Sequence, residues 1–174
     1  MNTTYGSPQT AAGGTILNHF SSNLFSYEKV PAMTAEDIRV SCVRSWSTEE
    51  VVALYRAGGW WKDEYDPAEI PRLISGSFAF AVAIDTRSGH AIGMGRVLSD
   101  GVSDAYIQDL VVLPEYRGRD LGTALVSCLI ARCREAGITW IALIAEPGSE
   151  AFYHPLGFAR MEGHIPLIYR GAPG

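Results

Sequence analysis

The chain has 174 residues, of which 47% are hydrophobic and 19% charged, a composition typical of a single soluble globular domain. Its 14 lysines and arginines against 19 acidic residues give a formal net charge of −5. This balance argues against a nucleic-acid-binding surface, which needs clustered positive charge, and it is compatible with a cationic small-molecule partner.

The three cysteines, Cys42, Cys128 and Cys133, form an odd and sparse set. Cys128 and Cys133 lie five residues apart in one predicted helix and do not face each other, so we expect free thiols in a reducing compartment. The sequence contains neither a secretory signal pattern nor a stretch of ~18 apolar residues that could span a membrane. We therefore expect a cytoplasmic protein without a membrane partner, and no residue spacing predicts a metal site.

Residues 1–35 are rich in small and polar residues, so we expect a loosely ordered N-terminal extension before a domain of residues 36–174. Apolar alternation predicts a first strand at 38–42. A helix follows, capped by Ser47 or Thr48 and ended by Gly58-Gly59, and then a loop at Trp60-Trp61. A second helix begins at Asp66-Pro67, and strands 78–84 and 91–98 form a hairpin. The glycines of Gly93-Met94-Gly95 predict a strand bulge or close sheet packing.

The second half of the domain alternates strands and helices. The predicted elements are a strand at 105–113, a helix at 121–135 ended by Gly137, an apolar strand at 138–145, a short helix near 149–153 and a last strand around 165–169. Successive strands followed by a β–α–β unit predict a mixed α/β sheet covered by helices.

The segment between the strand at 105–113 and the long helix has the properties of an anion site. The first amides of a helix lack internal partners and carry the positive end of the helix dipole. Gly118 and Gly122 let backbone N–H groups approach a ligand, while Arg117 and Arg119 add positive charge. The sequence therefore predicts a ligand that carries phosphate.

The run Arg-Gly-Arg-Asp-Leu-Gly at 117–122, after a strand ending in Val-Val-x-Pro, resembles motif A of the GCN5-related N-acetyltransferase (GNAT) superfamily. The resemblance implies a central sheet splayed between its fourth and fifth strands, with acetyl-CoA as cosubstrate in the split. It further implies two groups of cofactor-binding residues: Leu110, Val111 and Val112 for the pantetheine, and Arg117, Gly118, Arg119, Asp120, Leu121, Gly122 and Thr123 around the pyrophosphate.

Asp120 departs from the family pattern, which has a glycine at this position. Aspartate tolerates left-handed backbone and is a good helix N-cap, so the turn can survive the replacement. Its carboxylate would nevertheless oppose a diphosphate. We expect Asp120 to cap the helix with its side chain turned away from the ligand.

A second resemblance lies at Ala151–Phe158, whose sequence is similar to the family turn Phe-Tyr-x-x-x-Gly-Phe. In that turn the tyrosine hydroxyl approaches the sulfur of CoA. Amine attack on a thioester expels a thiolate, and a positioned phenol can protonate it. Tyr153 is therefore the candidate general acid, with a tyrosine packed in the core as the structural alternative.

The acceptor amine must lose a proton, and Asp109 is the leading candidate to bind the ammonium group or take that proton. The segment Tyr106–Asp109 resembles Tyr-Leu-Glu-Asp of the polyamine acetyltransferase branch, but Gln108 cannot serve as a base. A purely structural role for Asp109 is equally compatible with the sequence. The other candidates are Asp104, Glu146 and His154.

Trp60 and Trp61 lie in the segment that lines the acceptor pocket of the resembling family, so they and Gln108 are the candidate substrate-binding residues. Two adjacent tryptophans can form an aromatic wall for an aralkylamine or hold a cation, although core packing is an equal alternative.

We expect an N-acetyltransferase that moves an acetyl group from acetyl-CoA to a primary amine by direct attack, with an aralkylamine or polyamine-like acceptor favoured. The alternatives are a protein or peptide N-acetyltransferase, a noncatalytic acyl-CoA sensor and a different nucleotide-binding α/β protein. A homodimer is one possible assembly, because dimers are common in the resembling family.

Overall fold

The computed structural model describes residue 34 and residues 37–171 of the chain. Nearly all of the predicted N-terminal extension, with its boundary at residue 36, lies outside them. The described chain contains a sheet of five strands in sequence order: β1 (Ile38–Val43), β2 (Ala79–Asp85), β3 (Ala91–Ser99), β4 (Asp104–Val112) and β5 (Trp140–Leu143). Four α-helices accompany it: α1 (Thr48–Ala57), α2 (Ile70–Gly76), α3 (Leu121–Glu135) and α4 (Glu150–Tyr153).

The sheet is mixed and splayed, as predicted. Strands β1 to β4 pair antiparallel with their neighbours, whereas β4 and β5 pair in parallel. The β4–β5 ladder covers only residues 104–107 of β4, from Asp104 opposite Trp140 to Ile107 opposite Leu143. Since β4 continues to Val112, its last five residues run beyond this ladder, and the predicted opening between the fourth and fifth strands is confirmed.

Two hydrophobic clusters cover the two faces of the sheet, because alternate residues of a strand point to opposite faces. All seven residues of β2 are buried. One face packs against α3, with Ala79, Ala81 and Ala83 of β2 clustered with Leu125, Val126 and Leu129. The other face packs against α1 and α2, with Phe80, Val82 and Ile84 clustered with Val51, Leu54 and Ile74. The result is a three-layer α/β/α arrangement in which each large buried aliphatic side chain contributes about 1.5–3 kcal/mol.

The helix boundaries follow the predicted signals. The hydroxyl of Ser47 accepts a hydrogen bond from the amide of Glu50 and caps α1, which ends at Gly58. Asp66 caps a short 3-10 turn that leads into α2. The predicted span of α3 is confirmed at both ends. No helix within the described part of the chain is long and apolar enough to cross a membrane.

Two predicted strands differ from the structure. β5 is shorter than predicted, with four residues instead of the expected run 138–145. The segment at 165–169 forms no strand, and Ile165, Leu167, Ile168 and Tyr169 are 74–92% exposed. Strand propensity describes the fit of a side chain to a pleated, half-buried surface, so an apolar segment without a ladder partner stays irregular.

The glycines of β3 permit close packing, as the sequence predicted. Gly93→Ala should lower the free energy of unfolding by about 1–3 kcal/mol, because the added Cβ would lie 2.9 Å from the carbonyl oxygen of Val111. Urea unfolding followed by circular dichroism measures the change. Gly76→Ala is the matched control, since a Cβ there meets nothing within 4 Å. An equal loss in both variants would contradict the steric explanation.

Candidate active site

A bulge deforms β4 at the point where it leaves β5. Along β3 and β4 the pairing passes from Met94 opposite Val111 to Arg96 opposite Gln108, so β4 contains one more residue than β3 in this interval. Asp109 lies within the bulge and has a φ of 57°, in the left-handed region that aspartate tolerates better than most residues. Such a bulge bends a strand and increases its twist, which suits a strand that separates from its neighbour.

The predicted pantetheine-binding residues follow this bulge. The side chain of Val111 is buried, and those of Leu110 and Val112 are half-buried in the hydrophobic clusters. These residues can therefore offer a ligand mainly their backbone groups, on the edge of β4 that no longer pairs with β5. Backbone N–H and C=O groups need partners, and an extended amide-containing ligand could supply them.

The loop at residues 117–120, which we call the α3 loop, exposes backbone amides beside two arginines. Gly118 and Asp120 both have positive φ, 72° and 56°, so the chain turns sharply into the helix. The Nε of Arg117 donates to the carbonyl oxygen of Val112 at 3.0 Å, which ties the loop to the end of β4. The guanidinium of Arg119 lies 5.8 Å from the centre of the Tyr116 ring.

The remaining predicted cofactor residues begin α3. The side chain of Leu121 is buried, so only its backbone is available to a ligand, while Gly122 and Thr123 are partly exposed. Free amides at the start of a 15-residue helix, with two guanidinium groups nearby, fit a diphosphate.

The capping role predicted for Asp120 is wrong. Asp120 occupies the N-cap position of α3, but its side chain accepts no capping hydrogen bond. Its backbone carbonyl accepts the amide of Ala124 at 2.9 Å. The left-handed φ explains the difference, because side-chain capping usually accompanies an extended N-cap residue. The carboxylate is exposed beside the amides that would hold an anion.

The segment Ala151–Phe158, which we call the tyrosine turn, lies against the start of α3. α4 ends at Tyr153, and a 3-10 turn at His154–Leu156 leads to Gly157, which has a φ of 91°. A Cβ on Gly122 would lie 3.0 Å from Cζ of Phe152, so this glycine is where the two sequence motifs meet. The half-buried ring of Tyr153 packs edge-on against Phe152 and Phe158.

Tyr153 lines a cavity of about 730 Å³, the Tyr153 cavity, which also contacts Tyr106, Leu143, Glu146 and His154. Burial raises the pKa of the Tyr153 hydroxyl, and the charge of Glu146 raises it further. The phenol therefore holds its proton to a higher pH than an exposed tyrosine does. This is the protonation state that a proton donor to a thiolate needs.

Asp109 is engaged with two other side chains. Its Oδ2 accepts a hydrogen bond from the hydroxyl of Tyr55 at 2.6 Å and one from Nε of Arg96 at 2.5 Å. The side chains of Arg96 and Asp109 are only 15% and 21% exposed. Burial and the contact with Asp109 both raise the pKa of Tyr55, so it stays a donor. We call these three residues the Asp109 cluster.

Trp60 and Trp61 have different surroundings. The ring of Trp60 folds back over Gly58, where a Cβ would lie 2.6 Å from it, and packs on the hydrophobic cluster between the sheet and helices α1 and α2. Trp61 lines a separate cavity of about 490 Å³, the aromatic cavity, whose other lining residues include Glu64, Tyr65, Asp66, Glu69, Leu73 and Arg96. Both tryptophans pack on the ring of Tyr55, with centroids 6.3 and 6.5 Å away.

The other acceptor and base candidates are dispersed. Gln108 faces Arg96 across the β3–β4 ladder. Asp104 is exposed at the start of β4, and His154 contacts Glu150 at 3.3 Å. The sequence reasoning missed Arg96 and Tyr55. Arg96 offered one signal, because it is a charged residue inside an otherwise apolar strand.

Among the described residues, no group of three or more histidine, cysteine or acidic side chains is arranged to hold a metal ion. The thiols of Cys42 and Cys128, on β1 and α3, lie 3.4 Å apart, although their sequence separation is 86 residues. Burial raises the pKa of the Cys42 thiol to about 12, so it stays protonated.

The curated relatives of this chain include acetyltransferases that are named for different acceptors. The uncharacterized N-acetyltransferase ycf52 of Porphyra purpurea is 26% identical over 151 residues, which is 87% of each chain. Serotonin N-acetyltransferase 2, chloroplastic, of Oryza sativa subsp. japonica is 42% identical over 72 residues, 41% of this chain and 36% of the rice protein. Histone acetyltransferase TAP1 of Glycine max is 30% identical over 137 residues, 74% of this chain and 58% of the soybean protein.

The expectation of a cytoplasmic location is contradicted by such relatives. The rice protein is named as chloroplastic, and so are two related proteins of Arabidopsis thaliana. The compartment of a protein is read by targeting machinery and leaves little trace in composition or core pattern.

Solved structures share the fold. A GNAT family acetyltransferase of Streptococcus pneumoniae TIGR4 superposes with a TM-score of 0.66 at 24% identity, covering 78% of this chain and 99% of the other. A family model described as "Acetyltransferase (GNAT) family" matches residues 39–158. This match spans both the α3 loop and the tyrosine turn. The chain belongs to the GNAT family of acetyltransferases.

Proposed function

We propose that the protein transfers the acetyl group of acetyl-CoA to the primary amine of a small cationic acceptor, with an aralkylamine preferred. The observation that carries this proposal is the aromatic cavity. Its lining combines aromatic and acidic side chains, and it reaches Arg96 beside the bulge of β4. An aromatic ring and an ammonium group would both find favourable partners there.

The donor side of the proposal rests on the α3 loop and the free edge of β4. The amides around Gly118 to Gly122 and the guanidinium groups of Arg117 and Arg119 would bind the diphosphate. The backbone of Leu110 to Val112 would accompany the pantetheine. The Tyr153 cavity is lined by Tyr106 of β4 and by the residues of β5.

The chemistry proposed is direct transfer. The neutral amine attacks the thioester carbonyl carbon, and the C–S bond breaks as the C–N bond forms. The ammonium group of the acceptor loses one proton to water before the attack, and the nitrogen loses a second once the C–N bond has formed. Tyr153 gives its hydroxyl proton to the departing thiolate, and water then returns a proton to the phenolate. Backbone N–H groups near the bulge would stabilise the negative charge that develops on the carbonyl oxygen. The products are the N-acetylated amine and CoA.

The acceptor preference follows from the charges and rings of the aromatic cavity. Trp61 and Tyr65 stand edge to face, with centroids 5.8 Å apart. Glu64, Asp66 and Glu69 line the cavity with Arg72, which pairs with Glu69 at 3.1 Å. An ammonium group is attracted both to carboxylates and to an aromatic face. The rice relative named a serotonin N-acetyltransferase is consistent with a ring-bearing amine.

A turnover screen tests the proposal. Acetyl-CoA is offered with arylalkylamines, polyamines, aminoglycosides and peptide amines, including histone tail peptides, and release of free CoA is followed. The proposal expects the highest kcat/KM with an arylalkylamine. Turnover confined to peptides would favour a protein acetyltransferase. Binding of acetyl-CoA without turnover of any amine would indicate a sensor.

Removing the charge of Asp120 should improve donor binding. We expect Asp120→Asn to tighten the Kd for acetyl-CoA about three- to tenfold, roughly 0.7–1.4 kcal/mol, because the carboxylate lies beside the amides of α3 and makes no capping bond. Isothermal titration calorimetry measures the Kd. Asp63→Asn, another exposed acidic residue, is the control. A weaker Kd for Asp120→Asn would mean that the carboxylate supports the loop.

Tyr153→Phe should lower kcat by about 100-fold and change the Kd for acetyl-CoA less than about twofold, because only the proton donor is lost. Since the pKa of Tyr153 is raised, the alkaline fall in wild-type kcat should lie above the ordinary phenol range near ~10, and the variant should lack it. Tyr169→Phe, at an 88% exposed tyrosine, is the control. Unchanged kcat in Tyr153→Phe would remove this residue from the mechanism.

Trp61→Ala should raise the KM for an arylalkylamine about five- to tenfold, because it removes an aromatic wall worth ~1–1.4 kcal/mol. The KM for a linear diamine should rise less, and the KM for acetyl-CoA should stay the same. Steady-state kinetics with the three substrates gives the comparison. Equal changes for both amines would show that Trp61 does not recognise the ring.

A further inference from the structure

The Asp109 cluster joins three elements at one carboxylate oxygen. Tyr55 comes from α1, Arg96 from β3 and Asp109 from β4. Both donors approach Oδ2, at 2.6 and 2.5 Å. Tyr55 is 8% exposed, so the contacts are shielded from water, where charged hydrogen bonds are stronger than at an open surface.

The cluster lies at the only bulge between β3 and β4 that the described residues form. The left-handed backbone of Asp109 is less favourable than an extended one, and such a conformation persists when surrounding contacts fix it. Two hydrogen bonds from neighbouring elements supply that constraint. The last ladder pair with β5, at Ile107, is only two residues before Asp109. The cluster thus holds β4 where it leaves the sheet.

Packing from β3 fixes the other side of the bulge. A Cβ on Gly93 would lie 2.9 Å from the carbonyl oxygen of Val111, and one on Gly95 would lie 3.2 Å from Cδ1 of Leu110. β3 can therefore lie close under these residues only because it has no side chains at these two positions. Between the glycines and the cluster, the backbone after the bulge has little freedom.

The same cluster touches the aromatic cavity. Arg96 is one of the lining residues, and the ring of Tyr55 packs on Trp61. A change in the position of Tyr55 or Arg96 would therefore alter both the aromatic cavity and the bulge. This places the cluster between the acceptor side and the donor side of the proposed reaction.

We propose that Asp109 is a positioning residue: with Arg96 and Tyr55 it fixes the bulge, so that the backbone of Leu110–Val112 is held against the thioester while the aromatic cavity presents the amine. Asp109 is not the proton acceptor. Tyr55 and Arg96 already occupy Oδ2, and a proton taken up by either carboxylate oxygen would cancel the charge that the Arg96 guanidinium pairs with. This inference rests on the proposed acyl transfer.

The kinetic test separates positioning from proton transfer. In Asp109→Asn and Arg96→Gln, kcat should fall by about tenfold or more. In Tyr55→Phe it should fall less. The acidic limb of the pH profile of kcat/KM should stay within about 0.3 pH unit of wild type in all three. Arg96→Lys should recover part of the loss, because it keeps the charge. Arg132→Gln, which breaks an exposed ion pair on α3, is the matched control.

Disappearance of the acidic limb in Asp109→Asn, with Tyr55→Phe and Arg96→Gln close to wild type, would overturn the proposal and identify Asp109 as the base. Wild-type kinetics in all three variants would overturn it as well.

A second measurement does not depend on turnover. Amide hydrogen exchange of residues 108–113 should be at least about tenfold faster in Arg96→Gln and Tyr55→Phe than in wild type, while exchange in β2 stays unchanged. Unchanged exchange in residues 108–113 would overturn the proposed constraint. If wild type acetylated no amine, the proposed function would fail, but the exchange result would still decide whether the cluster fixes the bulge. If Asp109→Asn does not fold, Tyr55→Phe and Arg96→Gln carry both tests, with Arg96→Lys as the rescue variant.

Discussion

The separation of β4 from β5 is the feature on which the rest of the site depends. The two strands share a ladder of four residues, and beyond Ile107 the backbone of β4 faces an opening. In a closed sheet these peptide groups would pair with a neighbouring strand, and no crevice would exist. Because backbone groups require partners, an opening of this kind favours a ligand that can donate and accept along its length.

Opposite sides of the opening are held by different means. The start of α3 is fixed by its buried face, with Leu121, Leu125 and Leu129 in the hydrophobic cluster under the sheet. The tyrosine turn packs on the helix, since a Cβ on Gly122 would lie 3.0 Å from Cζ of Phe152. The helix that would bind the diphosphate and the tyrosine that would protonate the thiolate are therefore packed directly together. Gly122, the second residue of α3, therefore serves packing as well as ligand approach.

The Asp109 cluster illustrates how one carboxylate can look catalytic in the sequence and be engaged structurally in the fold. An aspartate next to a predicted ligand-binding strand is a reasonable candidate base. In the folded chain its Oδ2 is already bound by a guanidinium and a phenol from two other elements. Removing one partner of a largely shielded ion pair leaves the other charge without its partner, so such a group is well suited to holding geometry.

By itself the sequence determined the family, both ends of helix α3, the α3 loop and the tyrosine turn. These features depend on local signals: glycines at turns, helix-capping residues and the regular spacing of apolar residues. Tertiary structure alone decided the rest. It showed that Trp61 lines a cavity while Trp60 packs on the core, and that Arg96 and Tyr55 meet Asp109. It also removed the predicted strand at 165–169. Contacts between residues 54 positions apart, such as Tyr55 and Asp109, follow from sheet register and helix packing, which no local pattern encodes.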